Sequence, residues 1–254
     1  MRIAGLVKSS LIDYPGMIAA VVFTPGCNLR CSYCHNPELL DADSAASGST
    51  QEEILAWLRT RRGLLDAVVV SGGEPTLQPG LAEFMAKIRA LGYLVKLDTN
   101  GTQPDVLSSL IGKDVLDYVA MDIKAPAEKY DSICGVRVDP DGLEASIDLL
   151  LSGWVDYEFR TTVVPQMTRA DVLAIGRRVK GARMYVLQQC RLPEPVAPHR
   201  DLRFGKSSAH SSAWVLEVME DLKSVVRNCG ARGFDISRVL ATSRTETNAC
   251  LLPH

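Results

Sequence analysis

The chain has 254 residues, a formal net charge of −2, 46% apolar and 23% charged side chains. A chain this long buries roughly three quarters of its unfolded surface, so its core needs no disulfide staples. The charge balance excludes nucleic-acid binding through bulk positive charge, and the longest apolar runs, such as MIAAVVF, are too short to cross a bilayer. Neither a membrane nor a nucleic-acid partner is expected. The N-terminal MRIAGLVKSSLIDYPG lacks the apolar core of a signal peptide, which predicts a cytoplasmic protein with reduced thiols. Seven cysteines, an odd count, then point to metal or redox chemistry rather than to a disulfide framework.

Met17 to Thr24, MIAAVVFT, predicts a first strand. The loop after it, TPGCNLRCSYCHNPEL, places Cys27, Cys31 and Cys34 within eight residues. Ser49-Thr50-Gln51-Glu52 has the form of a capping box, and ILAWL follows with helical spacing. AVVVSGG, from Ala67, is a near-continuous apolar strand ending in Gly72 and Gly73. Pro79 to Leu91 reads as an amphipathic helix closed by Gly92. Four more strands begin at Tyr93 (YLVKLDTNG), Tyr118 (YVAMDIKAP), Tyr157 (YEFRTTVVP) and Ala182 (ARMYVLQQC). Between them helices are expected over Pro104 to Ile111, Asp141 to Leu151 and Thr168 to Val179. Such β-branched runs suit strands covered on both faces. Arg191 to Ser212 is proline-rich and polar, a loop, and Ala213 to Gly230 reads as an amphipathic helix.

The βα order implies a parallel sheet with right-handed crossovers. An open, curved partial barrel and a doubly wound sheet both satisfy it, and in either the ligands bind at the carboxyl ends of the strands. The chemistry-bearing residues fall there. Cys27, Cys31 and Cys34 have the spacing C-x3-C-x2-C directly after the first strand. Three thiolates would leave one iron of a four-iron cluster open to a ligand. A zinc knuckle that borrows a distant Cys or His35 is the competing reading. Gly72 and Gly73 let a ligand approach the backbone, and Glu74 can accept hydrogen bonds from an ammonium group. Asp98, Thr99 and Asn100 close the third strand, Asp122 and Lys124 the fourth, and Arg160 and Thr162 lie in the fifth. Singly, these residues also fit a turn or a structural ion pair. The remaining cysteines, Cys134, Cys190, Cys229 and Cys250, are widely spaced and read as packed or surface thiols.

Taken together, the cysteine spacing with Tyr33 before the last cysteine, the Gly72-Gly73-Glu74 run, and the segments LDTNG, AMDIKAP and FRTTVVP resemble the radical S-adenosylmethionine (radical SAM) family. Within it they are most similar to the glycyl-radical-enzyme activating proteins, in particular the longer, full-barrel activating type of anaerobic ribonucleoside-triphosphate reductase. The resemblance covers roughly Leu6 to Gln189. It implies a partial (β/α)6 barrel over residues 1–190 and a C-terminal loop and helix extension over 191–254. It implies that Cys27, Cys31 and Cys34 hold a [4Fe–4S] cluster and that Glu74 binds the ammonium of S-adenosylmethionine beside Gly72 and Gly73. Asp98 and Asn100 would lie near the ribose or methionine end, Lys124 and Arg160 near the carboxylate, and Tyr33 near the adenine. Asp122 would join Asp98 in holding a cation or polar contact, and His35 would pack beside the cluster. The implied reaction is reductive cleavage of S-adenosylmethionine to a 5′-deoxyadenosyl radical that takes hydrogen from a glycine of a partner enzyme. The implied partners are a glycyl radical enzyme, the anaerobic ribonucleotide reductase, and an electron donor such as flavodoxin or ferredoxin. A radical SAM enzyme acting on a small molecule or nucleoside is the alternative function, and a non-enzymatic cluster- or zinc-binding regulator is a third.

Overall fold

The structure is a computed structural model that describes residues 1–44, 49–190 and 209–236. Most of the expected Arg191 to Ser212 loop, and Cys250, lie outside the described residues. The six runs read as strands, together with Gly5–Ser10 and Cys229–Arg232, form eight strands of one sheet, arranged across it in chain order. β1 (Gly5–Ser10) is antiparallel to β2 (Ala19–Thr24). Every later pairing is parallel: β3 (Ala67–Gly72), β4 (Leu94–Thr99), β5 (Tyr118–Asp122), β6 (Asp156–Val163), β7 (Tyr185–Gln189) and β8 (Cys229–Arg232). The connections carry α1 (Gln51–Arg59), α2 (Leu81–Ala90), α3 (Pro104–Gly112), α4 (Tyr130–Cys134), α5 (Pro140–Leu151), α6 (Arg169–Arg178) and α7 (Ser212–Leu222). A doubly wound sheet reverses its strand order at a switch point. This order never reverses, so the open partial barrel is the fold.

Strand alternation sorts the side chains onto two faces. Val22, Val68, Val70, Val95, Leu97 and Phe159 pack outward against Leu58, Phe84, Ile88, Leu110 and Ile147 of the helices. Each such fully buried side chain contributes about 1.5–3 kcal/mol. Ala19, Val21, Ala67 and Val69 face the other way, gathered under Tyr14 from the β1–β2 loop. The Tyr14 ring meets Tyr118 on β5 at a centroid distance of 5.6 Å. Reaching past β3 and β4 in this way requires a strongly curved sheet, and this apolar plug fills the lower part of its concave side.

Two local expectations are corrected. The capping box at α1 is Thr50 with Glu53, one residue beyond Ser49 with Glu52: the Thr50 hydroxyl accepts from Glu53 N, and the Glu53 carboxylate accepts from Thr50 N at 2.8 Å. Both pairs fit the same sequence pattern. The C-terminal helix stops at Leu222 rather than running to Gly230. Val225 and Val226 then pack on the core, and Cys229–Arg232 becomes β8, in register with β7 from Tyr185↔Cys229 to Gln188↔Arg232. The extension therefore adds a strand as well as a helix.

Candidate active site

The cysteine loop is fastened at both ends by backbone. Gly26 N donates to Leu39 O at 2.8 Å, Cys27 N to Leu40 O at 3.0 Å, and Arg30 N to Cys134 O at 2.8 Å. The Arg30 guanidinium folds back onto the carbonyls of Cys27 and Leu29, at 2.5 and 3.0 Å. The neighbouring β3 end lies directly beneath: Glu74 N donates to Gly26 O at 2.8 Å. A Cβ on Gly73 would sit 2.1 Å from that Gly26 oxygen, so only glycine allows the two loops to meet. Gly72 has φ +121°, and its Cβ would fall 2.3 Å from Thr24 N. These two glycines set the cysteine loop against the β3 turn.

Glu74 is buried and its carboxylate is wrapped in donors. Oε1 accepts from Thr76 N, Thr76 Oγ1 and Thr99 Oγ1, and Oε2 accepts from Asn100 N at 2.6 Å. Burial raises its pKa, and those hydrogen bonds work in the opposite direction. Asn100 in turn donates from Nδ2 to Asn28 Oδ1 at 2.9 Å, and Asn28 Nδ2 donates to Thr102 Oγ1 at 2.8 Å. The β4 end is thus tied to both the β3 turn and the cysteine loop.

Across β4, β5 and β6 runs a line of alternating charge. Lys96 lies 2.5 Å from Asp98, Arg160 Nη1 is 3.4 Å from Asp98, Arg160 Nε is 2.7 Å from Asp122, and Lys124 is 2.9 Å from Asp122. Burial alone would raise both aspartates, but Arg160 and its flanking lysines hold them below the ordinary carboxylate range. The structural ion pair that these residues also fit is present between Asp122 and Lys124, as one link in this longer line.

Cys27, Cys31 and Cys34, the Gly72-Gly73-Glu74 turn, Tyr33, Asp98, Asn100, Asp122, Lys124 and Arg160 all line one cavity of ≈ 210 Å³, together with His35 and Thr162. Every residue singled out from the sequence for this site is therefore brought to one place. Leu29, Asn36, Leu40, Ser71 and Gln188 also line it and were not anticipated, and neither was Lys96 behind Asp98. Among the described residues no three His, Cys, Asp or Glu side chains close on one point suited to a single metal ion. A wider cavity of ≈ 780 Å³ adjoins, sharing His35, Arg160 and Gln188 and bordered by Leu11, Ile12 and Arg232.

The model of the radical SAM superfamily matches residues 21–179. The chain belongs to the radical SAM superfamily. It is 39% identical over 193 residues to a protein of Methanocaldococcus jannaschii named putative glycyl-radical enzyme activating enzyme, covering 74% of this chain and 79% of that one. It is 34% identical over 194 residues to the pyruvate formate-lyase-activating enzyme of Clostridium pasteurianum, covering 72% and 77%. The crystal structure of Streptococcus suis SuiB bound to S-adenosylmethionine superposes with a TM-score of 0.64 at 12% identity, over 85% of this chain and 52% of that one, a likeness of fold alone.

As a radical SAM enzyme the chain uses a [4Fe–4S] cluster and S-adenosylmethionine. The cavity fits such groups. Three thiols from one loop line it, soft donors of the kind that hold iron–sulfur clusters. Cys27 Sγ already accepts a hydrogen bond from Leu29 N at 3.4 Å. The Tyr33 hydroxyl on the same wall is buried with no partner among the described residues. Facing the thiols, the line of charge offers a zwitterionic ligand both signs within one cavity.

Proposed function

We propose that this chain activates a glycyl radical enzyme, its partner being the anaerobic ribonucleotide reductase. Two observations support the reading. The curated relatives named above carry activating-enzyme names over about three quarters of the chain. The thiol-lined cavity also shares His35, Arg160 and Gln188 with the wider one, which is bordered by Leu11 and Ile12, 75% and 79% exposed. That adjacency is what carries the proposal, because a substrate loop of a folded partner needs an open approach to the reacting centre, whereas a small molecule needs a closed pocket.

When bound, the cluster and S-adenosylmethionine supply one-electron cleavage of a sulfonium and a carbon radical able to take hydrogen from a glycine Cα. The chain's own residues do the positioning. Cys27, Cys31 and Cys34 hold the cluster. Gly72 and Gly73 keep the adjacent backbone bare of side chains, so the methionine end can approach it. Glu74 anchors the Asn100 loop through Oε2 and would accept hydrogen bonds from the ammonium group. Arg160 and Lys124 supply positive charge toward the carboxylate, and Asp98, Asp122 and Asn100 supply acceptors for ammonium and ribose. Tyr33 lies where an aromatic face suits the adenine. The electron donor is a small cytoplasmic redox protein such as flavodoxin or ferredoxin.

The test is anaerobic reconstitution with iron, sulfide, S-adenosylmethionine and a chemical reductant, with and without anaerobic ribonucleotide reductase. The expected result is 5′-deoxyadenosine together with a glycyl-radical doublet by electron paramagnetic resonance in the partner. Formation of 5′-deoxyadenosine with no radical in that partner would overturn the assignment.

A further inference from the structure

We propose that Lys96 is a positioning residue for the S-adenosylmethionine site: reaching Asp98 from inside the barrel, its ammonium fixes that carboxylate at the cavity wall and leaves Arg160 free to face the ligand. The inference rests on the reading that S-adenosylmethionine lies in this cavity against Asp98, Lys124 and Arg160.

Lys96 is fully buried. Alternation along β4 puts it on the concave face, between Leu94 and Asp98. Leu94 packs on the apolar plug, and so do Val69 and Tyr118, the residues that Lys96 pairs with on β3 and β5. The partner of its ammonium is Asp98 Oδ1, at 2.5 Å. A buried ammonium is tolerated only when it is paired. A methionine would fill the same slot among these apolar neighbours without that demand. The charge therefore answers to Asp98 and not to the packing of the barrel.

Asp98 lines the cavity and Lys96 does not. A carboxylate has about four acceptor positions. Lys96 and Arg160 Nη1, the latter at 3.4 Å, share Asp98 Oδ1, and Ser71 Oγ donates to Oδ2 at 3.1 Å. The remaining position lies on Oδ2, and its direction is set from both sides of the carboxylate. Arg160 meanwhile holds Asp122 through Nε at 2.7 Å and stands farther off Asp98. With Lys96 in place, Asp98 has its own counter-charge. Without it, Arg160 must balance Asp98 as well and is drawn toward that carboxylate. Support of this kind from behind the contacting residues is what holds a binding site to a single geometry.

The experiment compares full-length wild type, Lys96→Met, Lys124→Met and the double variant Lys96→Met with Asp98→Asn, each reconstituted anaerobically with iron and sulfide. Iron per chain near wild type is expected in all four. Equilibrium dialysis then gives the dissociation constant for S-adenosylmethionine. Lys96→Met should bind roughly tenfold more weakly, the scale of one hydrogen bond to a charged group. The double variant should fall within about threefold of Lys96→Met, because the lysine acts through the aspartate. A lysine that only supports the fold would lower the urea midpoint and leave affinity unchanged, and that result overturns the proposal. So does a double variant that binds a further tenfold or so more weakly, since the two residues would then act independently. Should Lys96→Met fail to fold, wild type labelled with 15N-lysine supplies the test. The Lys96 Nζ resonance, protected from exchange by burial, should shift when S-adenosylmethionine is added, and an unmoved resonance overturns the proposal. Weakened binding in Lys124→Met with normal binding in Lys96→Met overturns this proposal alone. Normal binding in both would overturn the reading of the cavity, and this proposal with it.

Discussion

The carboxylate of Glu74, just past the end of β3, accepts a 2.6 Å hydrogen bond from the backbone N–H of Asn100, just past the end of β4. Its other oxygen takes three donors from Thr76 and Thr99. Glu74→Gln keeps the shape but must turn an NH2 group toward a backbone N–H that cannot reverse. The expected loss is about 1–3 kcal/mol, the cost of burying a polar group without a partner. Urea unfolding of the metal-free chain measures it, and an unchanged midpoint would remove Glu74 from this structural role.

Arg160 holds two partly exposed aspartates at once, Asp122 through Nε and Asp98 through Nη1. Because the folded-state pKa values of Asp98 and Asp122 are depressed, their ionised forms stabilise the fold above the ordinary carboxylate range near pH 4. That stability disappears as pH falls through the lower, folded values. Arg160→Met should cost about 1.5–3 kcal/mol at pH 7, because Asp98 keeps Lys96 and Asp122 keeps Lys124 but both lose the partner they share. It should also move acid unfolding to higher pH and cost less where the aspartates are protonated. A pH-independent loss across urea titrations would contradict this.

Gly73→Ala puts a methyl group into the Gly26 carbonyl. The backbone of the cysteine loop or of the β3 turn must move, since neither contacting atom is the end of a flexible side chain. We expect iron and sulfide content after reconstitution to fall by half or more while far-ultraviolet circular dichroism stays near wild type. Normal loading would mean that the loop tolerates the displacement.

Arg232 on β8 donates to Glu158 on β6 through Nη1 and Nη2, at 2.9 and 2.7 Å, and Glu158 is 1% exposed. Arg232→Ala leaves that carboxylate buried without its partner and should destabilise the chain by about 3–5 kcal/mol. Arg232→Ala with Glu158→Gln should recover part of the loss. A single variant as stable as wild type would show that β8 is dispensable to the barrel.

Much of this architecture is legible in the sequence because β-branched runs between glycine and proline breaks leave few alternatives. The site residues were legible for a related reason: parallel strands deliver whatever follows their last apolar residue to one rim. What stayed hidden depends on distance or on brevity. Lys96 sits inside a strand that reads as apolar, and only its i, i+2 relation to Asp98 marks the inner face. Glu158 had the same relation to Arg160 and Thr162, yet its partner is 74 residues away on β8. β8 itself, CGAR, is four residues long and contains no β-branched side chain.

From β2 onward each strand pairs with the one made just before it. A chain emerging from the ribosome can therefore lay down its sheet one unit at a time, with no strand waiting for a distant mate. The cysteine loop, by contrast, is among the earliest segments synthesised, and the wall opposite it arrives only with Arg160 and Gln188. On the proposed assignment of the cluster to these thiols, the pocket that would receive iron and sulfide is complete only once the barrel has been made.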